Sequence, residues 1–196
     1  MTKKQPEETK LLMLPAKLVN RLKEATDKKG MSLTSWACEV FEDALEAEKL
    51  GASLKDTLDT YKMREIHRGA GALVIPRSSL SFVVENCKSG EQKDFKDKWF
   101  EAGRWYGSYI SSKLERTDTF KMLEKDLKTS WNLDEIELRG GDEPLVRFTS
   151  FMMSNEITEL LLSYLSGIME SMGYHEEEHD KVRGMATVKY AKTPKG

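Results

Sequence analysis

His175, Glu177 and His179 form an alternating set of potential metal ligands near the end of the chain. Every second residue of a β-strand lies on the same face, so a strand here would bring the three side chains together. Imidazole and carboxylate groups are typical zinc ligands, but a structural zinc site needs four of them. No fourth ligand is apparent, and the acidic residues in between favour a solvated strand. We therefore expect no metal site.

Catalytic motifs are missing from the sequence. It contains no Gly-x-Ser-x-Gly, no His-Glu-x-x-His, no Walker phosphate-binding loop and no Gly-x-Gly-x-x-Gly, which are the short patterns that support common reaction mechanisms. The carboxylates are scattered over predicted solvent faces, and His67 stands in a charged connecting segment that favours a surface role. We predict that the protein is not an enzyme and holds no cofactor.

Two cysteines, Cys38 and Cys87, permit at most one disulfide bond. So few cysteines favour a reduced, cytoplasmic protein. Cys38 falls on the small-residue side of a predicted helix, where packing is expected. Nothing around Cys87 indicates the lowered thiol pKa that a redox or acylation role needs.

Composition describes an ordinary globular protein of one or two domains. Of 196 residues, 39% are hydrophobic and 33% are charged, and the formal net charge is −2. Nucleic-acid binding through overall basicity is thereby excluded. Residues 1–30 nevertheless hold eight basic residues against four acidic ones. No apolar run is long enough for a membrane span, so no membrane insertion is expected, and the first residues lack a signal-peptide pattern.

The first fifty residues follow the order strand, helix, tight turn, helix. The predicted elements are a strand at 9–14 that stops at Pro15, a helix at about 15–28, and a helix at about 33–49 that Ser32 caps. One six-residue strand cannot pair its own backbone, and two short helices cannot bury both of their apolar faces. We therefore expect two copies of the chain to pair their strands as an antiparallel ribbon.

Residues 8–48 also resemble the ribbon-helix-helix family of Arc- and MetJ-type repressors. The matching features are the short strand ending at Pro15, the Lys28-Lys29-Gly30 turn, and Ser32-Leu33-Thr34-Ser35 at the start of the second helix. The resemblance implies a ribbon in the DNA major groove and a phosphate held by the amide groups at the start of the second helix. The residues predicted to contact DNA are Lys4, Thr9, Lys10, Leu11, Met13, Arg21, Ser32, Leu33 and Thr34.

The predicted strand departs from this family at the positions that would read bases. Leu11 and Met13 are apolar, whereas base recognition uses Arg, Lys, Asn or Gln. Either DNA binding depends on phosphate contacts and DNA shape, or the segment only dimerises. The second alternative describes a scaffold that binds a lipid or a partner chain.

A connecting helix at 52–68 and the Gly69-Ala70-Gly71 break separate this region from a second domain. We assign residues 1–50 to the ribbon-helix-helix, 51–69 to the connector and 70–196 to the second domain. The elements predicted for the second domain are a buried strand at 72–75, helices at about 78–88, 93–116, 119–131 and 155–172, and strands at 135–138, 145–148, 174–182 and 185–191. The predicted class is α+β, with the second domain an α/β domain whose helices pack on an antiparallel sheet.

The second domain is similar to the 4-vinyl-reductase-type small-ligand sensor domain, a fold shared with subunits of the TRAPP transport complex. The resemblance covers about residues 70–191. The segments that carry it are Leu73-Val74-Ile75-Pro76-Arg77, Phe100-Glu101-Ala102-Gly103-Arg104-Trp105-Tyr106-Gly107, Leu162-Ser163-Tyr164-Leu165-Ser166-Gly167-Ile168-Met169-Glu170 and the Gly184 hairpin. It implies a dimer-prone domain of bacterial and archaeal regulators that binds a small apolar or aromatic molecule. Some members hold zinc with cysteines that would fall near Leu162, Asp180 and Val188, so we infer that this zinc site is absent.

These observations predict a cytoplasmic, ligand-responsive transcription regulator that acts as a homodimer or a dimer of dimers on double-stranded DNA. An unidentified small apolar ligand is expected in the second domain and acts through the connector. A reductase is rejected because no cofactor motif is present. The residues predicted to line the ligand pocket are Trp99, Tyr106, Ile110, Phe148, Leu161, Tyr164, Leu165 and Ile168.

Overall fold

The computed structural model describes residues 10–86, 91–114 and 116–194. The chain divides into two compact units, Met1–Leu58 and Asp59–Gly196. Within the described ranges it has seven helices and one four-stranded antiparallel sheet. This confirms the α+β class.

The first unit contains α1 (Ala16–Lys29), α2 (Leu33–Lys49) and the beginning of α3 (Leu54–Gly69). Pro15 immediately precedes α1, where its missing N–H costs no helical hydrogen bond. Gly30 ends the helix in the left-handed conformation, with φ +66°, and donates to the carbonyl of Asp27. Ser32 then caps α2 by accepting a hydrogen bond from the Ser35 amide at 3.0 Å. Local sequence signals therefore set both helix boundaries.

A strand was predicted at 9–14; its described part, residues 10–14, belongs to no strand within the single chain. Leu11 is 95% exposed and Met13 is 89% exposed. A strand requires a second strand to bond with, and among the described residues no strand lies beside this segment. The ribbon between two copies stays a prediction. Cys38, which was expected to pack, is exposed instead.

The second unit places helices on one antiparallel sheet. After α3 come α4 (Arg77–Glu85), α5 (Glu91–Lys113), α6 (Arg116–Ser130), β1 (Glu135–Arg139), β2 (Leu145–Thr149), α7 (Asn155–Ser171), β3 (Tyr174–Val182) and β4 (Met185–Lys192). The strand order is β1-β2-β4-β3. The core lies between the sheet and α5, α6 and α7. This confirms the predicted arrangement of helices on an antiparallel sheet.

Helices α5 and α7 cross at a point where both carry glycine. A Cβ atom on Gly167 would overlap the Phe100 carbonyl oxygen and would lie 2.8 Å from the Arg104 amide nitrogen. A Cβ atom on Gly103 would overlap the Tyr164 carbonyl in the same way. The two backbones therefore approach more closely than any larger residue permits.

The prediction of a buried strand at 72–75 is wrong. These residues form no strand, and Val74 is fully exposed. The run is apolar, as a buried strand would be, but the four strands of the sheet pair among themselves and leave it outside. The following helix begins at Arg77, directly after Pro76, and ends at Glu85. Cys87 lies outside the described residues.

None of the described helices combines the length and the apolar character that crossing a bilayer requires.

Candidate functional site

A buried carboxylate joins three helices of the second unit. Asp126 of α6 accepts a hydrogen bond from the Tyr106 hydroxyl of α5 at 2.7 Å. Its other oxygen lies 2.7 Å from Nε2 of His67, in the last turn of α3. The same His67 nitrogen is 3.2 Å from the Tyr106 hydroxyl. The three side chains therefore form a closed polar triangle inside an otherwise apolar core.

The electrostatics of this triangle stabilise a charged pair of His67 and Asp126. Asp126 is 5% exposed and the His67 side chain 28% exposed. The hydrogen bond to Asp126 raises the pKa of His67, although burial partly opposes the rise. Burial and the Asp126 charge raise the pKa of Tyr106, so its hydroxyl remains a donor. The triangle holds one carboxylate with two donors and fixes the end of α3 to α5 and α6.

The sequence-based assignment of His67 to the surface is wrong. Charged neighbours surround it in the sequence, but only the fold brings Asp126 and Tyr106 to it. The sequence gives a weak local signal that His67 is partly buried, because His67 lies within one turn of the apolar residues Ile66 and Met63, which are buried.

Three further aromatic rings form a cluster with Tyr106 of the triangle. Tyr164 stacks on Tyr106 with ring centroids 6.0 Å apart, and it also contacts Trp99 at 6.0 Å and Trp131 at 5.8 Å. The two tryptophan rings meet edge to face at 5.1 Å. Such contacts stabilise the folded state through buried area and through the electrostatic attraction between the edge of one ring and the face of another.

The residues predicted to line the ligand pocket all lie near one another. Three of them, Trp99, Tyr106 and Tyr164, belong to the aromatic cluster. The other five have side chains that are at most 1% exposed and pack in the main core: Ile110, Phe148, Leu161, Leu165 and Ile168. Two clefts on the surface of this unit are lined by other residues.

The alternating histidines of β3 do not converge on a metal site. The strand has a register irregularity between Glu176 and Glu178, which breaks the simple alternation of faces. Nδ1 of His179 lies 2.6 Å from a Glu176 oxygen instead. Among the described residues no group of three potential ligands is close enough to hold a metal ion.

The residues predicted to contact DNA fall into two groups in the first unit. Lys10, Leu11 and Met13 are exposed on the segment before α1, and Arg21 is exposed on α1 itself. Ser32, Leu33 and Thr34 form the N-terminal end of α2. Ser32 engages the Ser35 amide, whereas within the described chain the amides of Leu33 and Thr34 have no protein acceptor. Lys4 and Thr9 lie outside the described residues.

Comparison with known proteins finds distant similarity to solved structures and no similarity in sequence. No protein-family model matches the chain, and no curated protein sequence matches it. The H-NOX domain from Shewanella oneidensis in the Fe(II)CO ligation state is 10% identical, with a TM-score of 0.36; the match covers 72% of this chain and 96% of that one. A structure described under "Structural insights into the molecular mechanism of H-NOX activation" is 14% identical, with a TM-score of 0.30, and the match covers 64% and 82%. Neither similarity is strong enough to support a statement about the function of this chain.

Proposed function

We propose that this chain is a dimeric, DNA-binding transcription regulator whose second unit binds a small ligand. The observation that carries the proposal is the set of large apolar side chains left exposed by the first unit. They lie on the segment before α1 and on both helices: Leu11, Leu12, Met13, Leu14, Leu18, Phe41 and Leu45. A soluble protein rarely leaves so many in contact with water.

Dimerisation is the simplest way to bury this surface. Among the described residues the segment at 10–14 has no neighbouring strand, and the same segment of a second copy is self-complementary in an antiparallel arrangement. Pairing two copies would supply the missing backbone hydrogen bonds and let the apolar faces of α1 and α2 pack against their equivalents. A two-fold axis then follows from the identity of the two chains.

DNA is the proposed partner because the same unit presents groups that suit phosphate. The N-terminus of α2 offers the amides of Leu33 and Thr34, and the helix dipole favours an anion there. Arg21 is exposed and available for a phosphate contact. The exposed Leu11 and Met13 are poor base readers, so we expect phosphate contacts to dominate the affinity.

The same apolar exposure favours a second candidate, a dimeric scaffold that binds a lipid or partner chain and no DNA. Both candidates require the dimer, so sedimentation equilibrium of the full chain tests what they share. A monomer at micromolar concentration would contradict both.

Fluorescence anisotropy with random and selected duplexes separates the two candidates. If phosphate contacts dominate, affinity falls steeply with salt, and Arg21→Glu removes one phosphate contact from each of the two protomers, so the plot of log affinity against log salt becomes less steep by roughly 2. Lys49→Glu is the matched control, because it makes the same charge change at the C-terminal end of α2, away from the N-terminal end that is proposed to contact phosphate. A dimer that binds no duplex at low salt would overturn the regulator and leave the scaffold.

A further inference from the structure

The second unit exposes an apolar surface of its own, the α4 surface, which consists of the segment before α4 and the outer side of that helix. Leu73 is 86% exposed, Val74 is fully exposed, and Ile75 is half exposed. Phe82 and Val83 are exposed on α4 itself. Single exposed apolar residues are ordinary on a protein surface, whereas a group as dense as this one indicates an interaction site.

The backbone of the segment before α4 also lacks protein partners. Residues 72–76 belong to no helix or strand. Among the described residues, the backbone groups at 73–75 make no hydrogen bond, although the preceding amide, that of Ala72, donates to the His67 carbonyl at 3.0 Å. Pro76 favours an extended conformation at the residue before it. The segment therefore has what a β-strand requires except a neighbouring strand.

Charged residues are absent from the α4 surface. None occurs between Arg68 and Arg77, and none between Arg77 and Glu85. Proteins usually prevent exposed strand-like segments from associating by placing lysine, glutamate or proline within them. A neutral apolar surface also offers no electrostatic attraction to a nucleic acid or to an anionic membrane. Its chemistry suits another neutral apolar surface, and the same surface on a second copy of the chain is one.

The size of the α4 surface agrees with a contact between two copies. Its five large side chains together expose an apolar area on the order of 500 Å². An interface of standard size buries about 800 Å² on each partner, and about 65% of a homodimer interface is apolar, which corresponds to roughly 500 Å². The α4 surface therefore has the apolar area that a stable two-fold contact requires.

From these observations we propose that the α4 surface joins the second units of two copies of the chain. The segment before α4 pairs antiparallel with its own counterpart across a two-fold axis, so that Val74 lies opposite the partner's Val74 and Leu73 opposite the partner's Ile75. This pairing supplies the missing backbone hydrogen bonds, and Phe82 and Val83 are buried beside it. The contact is separate from the ribbon proposed for the first unit, and neither contact depends on the other.

Sedimentation equilibrium of full-length variants separates the two contacts. Leu11→Lys combined with Met13→Lys places charges in the proposed ribbon and leaves the α4 surface intact, so we expect this double variant to remain dimeric at micromolar concentration. Adding Val74→Lys should raise its dimer dissociation constant at least about tenfold, because one charge enters the interface from each copy. Met185→Lys in the same background is the matched control, because Met185 is exposed on the face of the sheet opposite to buried Ala186 and the helices.

Disulfide cross-linking locates the contact. In a chain with Cys38→Ser and Cys87→Ser, Val74→Cys should form an intermolecular disulfide when oxidised glutathione is the oxidant. Directly opposed residues of an antiparallel pair have Cα atoms about 4.5–5.5 Å apart, which lies within the range that a disulfide spans. Arg147→Cys is the control, because Arg147 is exposed on the outer face of the sheet, away from α4. Circular dichroism establishes that each variant is folded.

Three results would overturn the proposal. They are a monomeric double variant of Leu11 and Met13, equal dissociation of the Val74→Lys and Met185→Lys variants, and a Val74→Cys chain that cross-links no better than Arg147→Cys. Failure of the ribbon in the first unit looks different. Association that is unchanged by the Leu11 and Met13 substitutions but weakened by Val74→Lys would support the α4 surface and count against the ribbon.

Discussion

Replacing Gly167 by alanine tests whether the close crossing of α5 and α7 holds the second unit together. The added Cβ atom would meet the Phe100 carbonyl and the Arg104 amide, which are backbone groups of a helix. A flexible side chain could turn away from such a contact, but a helix backbone can only move as a whole. The two helices would have to separate, and the aromatic cluster between them would lose contacts.

The expected change in the free energy of unfolding follows from two opposing effects. Alanine stabilises a helix interior by about 1 kcal/mol relative to glycine. Overpacking a well-packed core typically costs about 1–3 kcal/mol, and a contact against backbone belongs at the upper end of that range. We therefore expect a net loss of about 2 kcal/mol in the free energy of unfolding, which lowers the melting temperature by roughly 4–8 °C in a chain of this size.

Urea denaturation followed by tryptophan fluorescence measures this loss. A Trp36→Phe background removes the tryptophan of the first unit, so that Trp99, Trp105 and Trp131 report on the second. Ser108→Ala is the control, because Ser108 is exposed in the middle of α5 and alanine there should be neutral or slightly stabilising. If Gly167→Ala is as stable as the control, the close crossing does not exist as described.

Other substitutions test the polar triangle and the first unit. Tyr106→Phe removes one of the two donors to buried Asp126 and should cost about 1–3 kcal/mol of unfolding free energy in urea. Because folding raises the pKa of His67, the stabilisation it provides is complete below its unfolded value near 6.5 and is lost as pH rises through the folded value. Stability measured from pH 5 to 9 should show this loss, and His67→Gln should abolish it; an unchanged profile would contradict the ion pair. Ser32→Ala removes the cap of α2 and should lower the free energy of unfolding by about 1 kcal/mol. Gly30→Ala forces alanine into the left-handed region and should lower it by about 1–2 kcal/mol. Thermal melts followed by circular dichroism check both, and an unchanged stability in either variant would refute the corresponding helix boundary.

The helices and strands were largely predictable because their signals are local. Helix α2 and strand β3 have the predicted bounds, and the other helices and strands of the structure differ from prediction by a few residues at their ends. Capping by Ser32 and the positive φ of Gly30 and Gly184 are properties of short stretches. The segments at 10–14 and 72–75 are the exceptions, since an apolar run indicates burial without saying what would cover it.

The candidate site and the ion pairs of the second unit depended on contacts between distant parts of the chain. Nothing near His67 in the sequence indicates Asp126, and nothing near Lys96 indicates that Glu159 will be shared with Lys181. Charged residues are common on helix surfaces, so their types carry little information until the fold selects a few and removes them from water. The residues predicted to line a ligand pocket pack in the core through contacts between distant parts of the chain, which no local pattern in the sequence indicates.

The sequence by itself determined the order of the elements and the α+β class, and it is the source of the prediction that the first unit needs a partner surface. These depend on periodicity, on capping and turn residues, and on the amount of apolar surface that a short segment must bury. Tertiary structure alone decided that Asp126 is buried between two donors, that one carboxylate, Glu159, pairs with two lysines, and that α5 and α7 touch through glycine. The physical reason is that burial and pairing are properties of neighbours in space, and a charge acquires a specific role when it leaves water beside a particular partner.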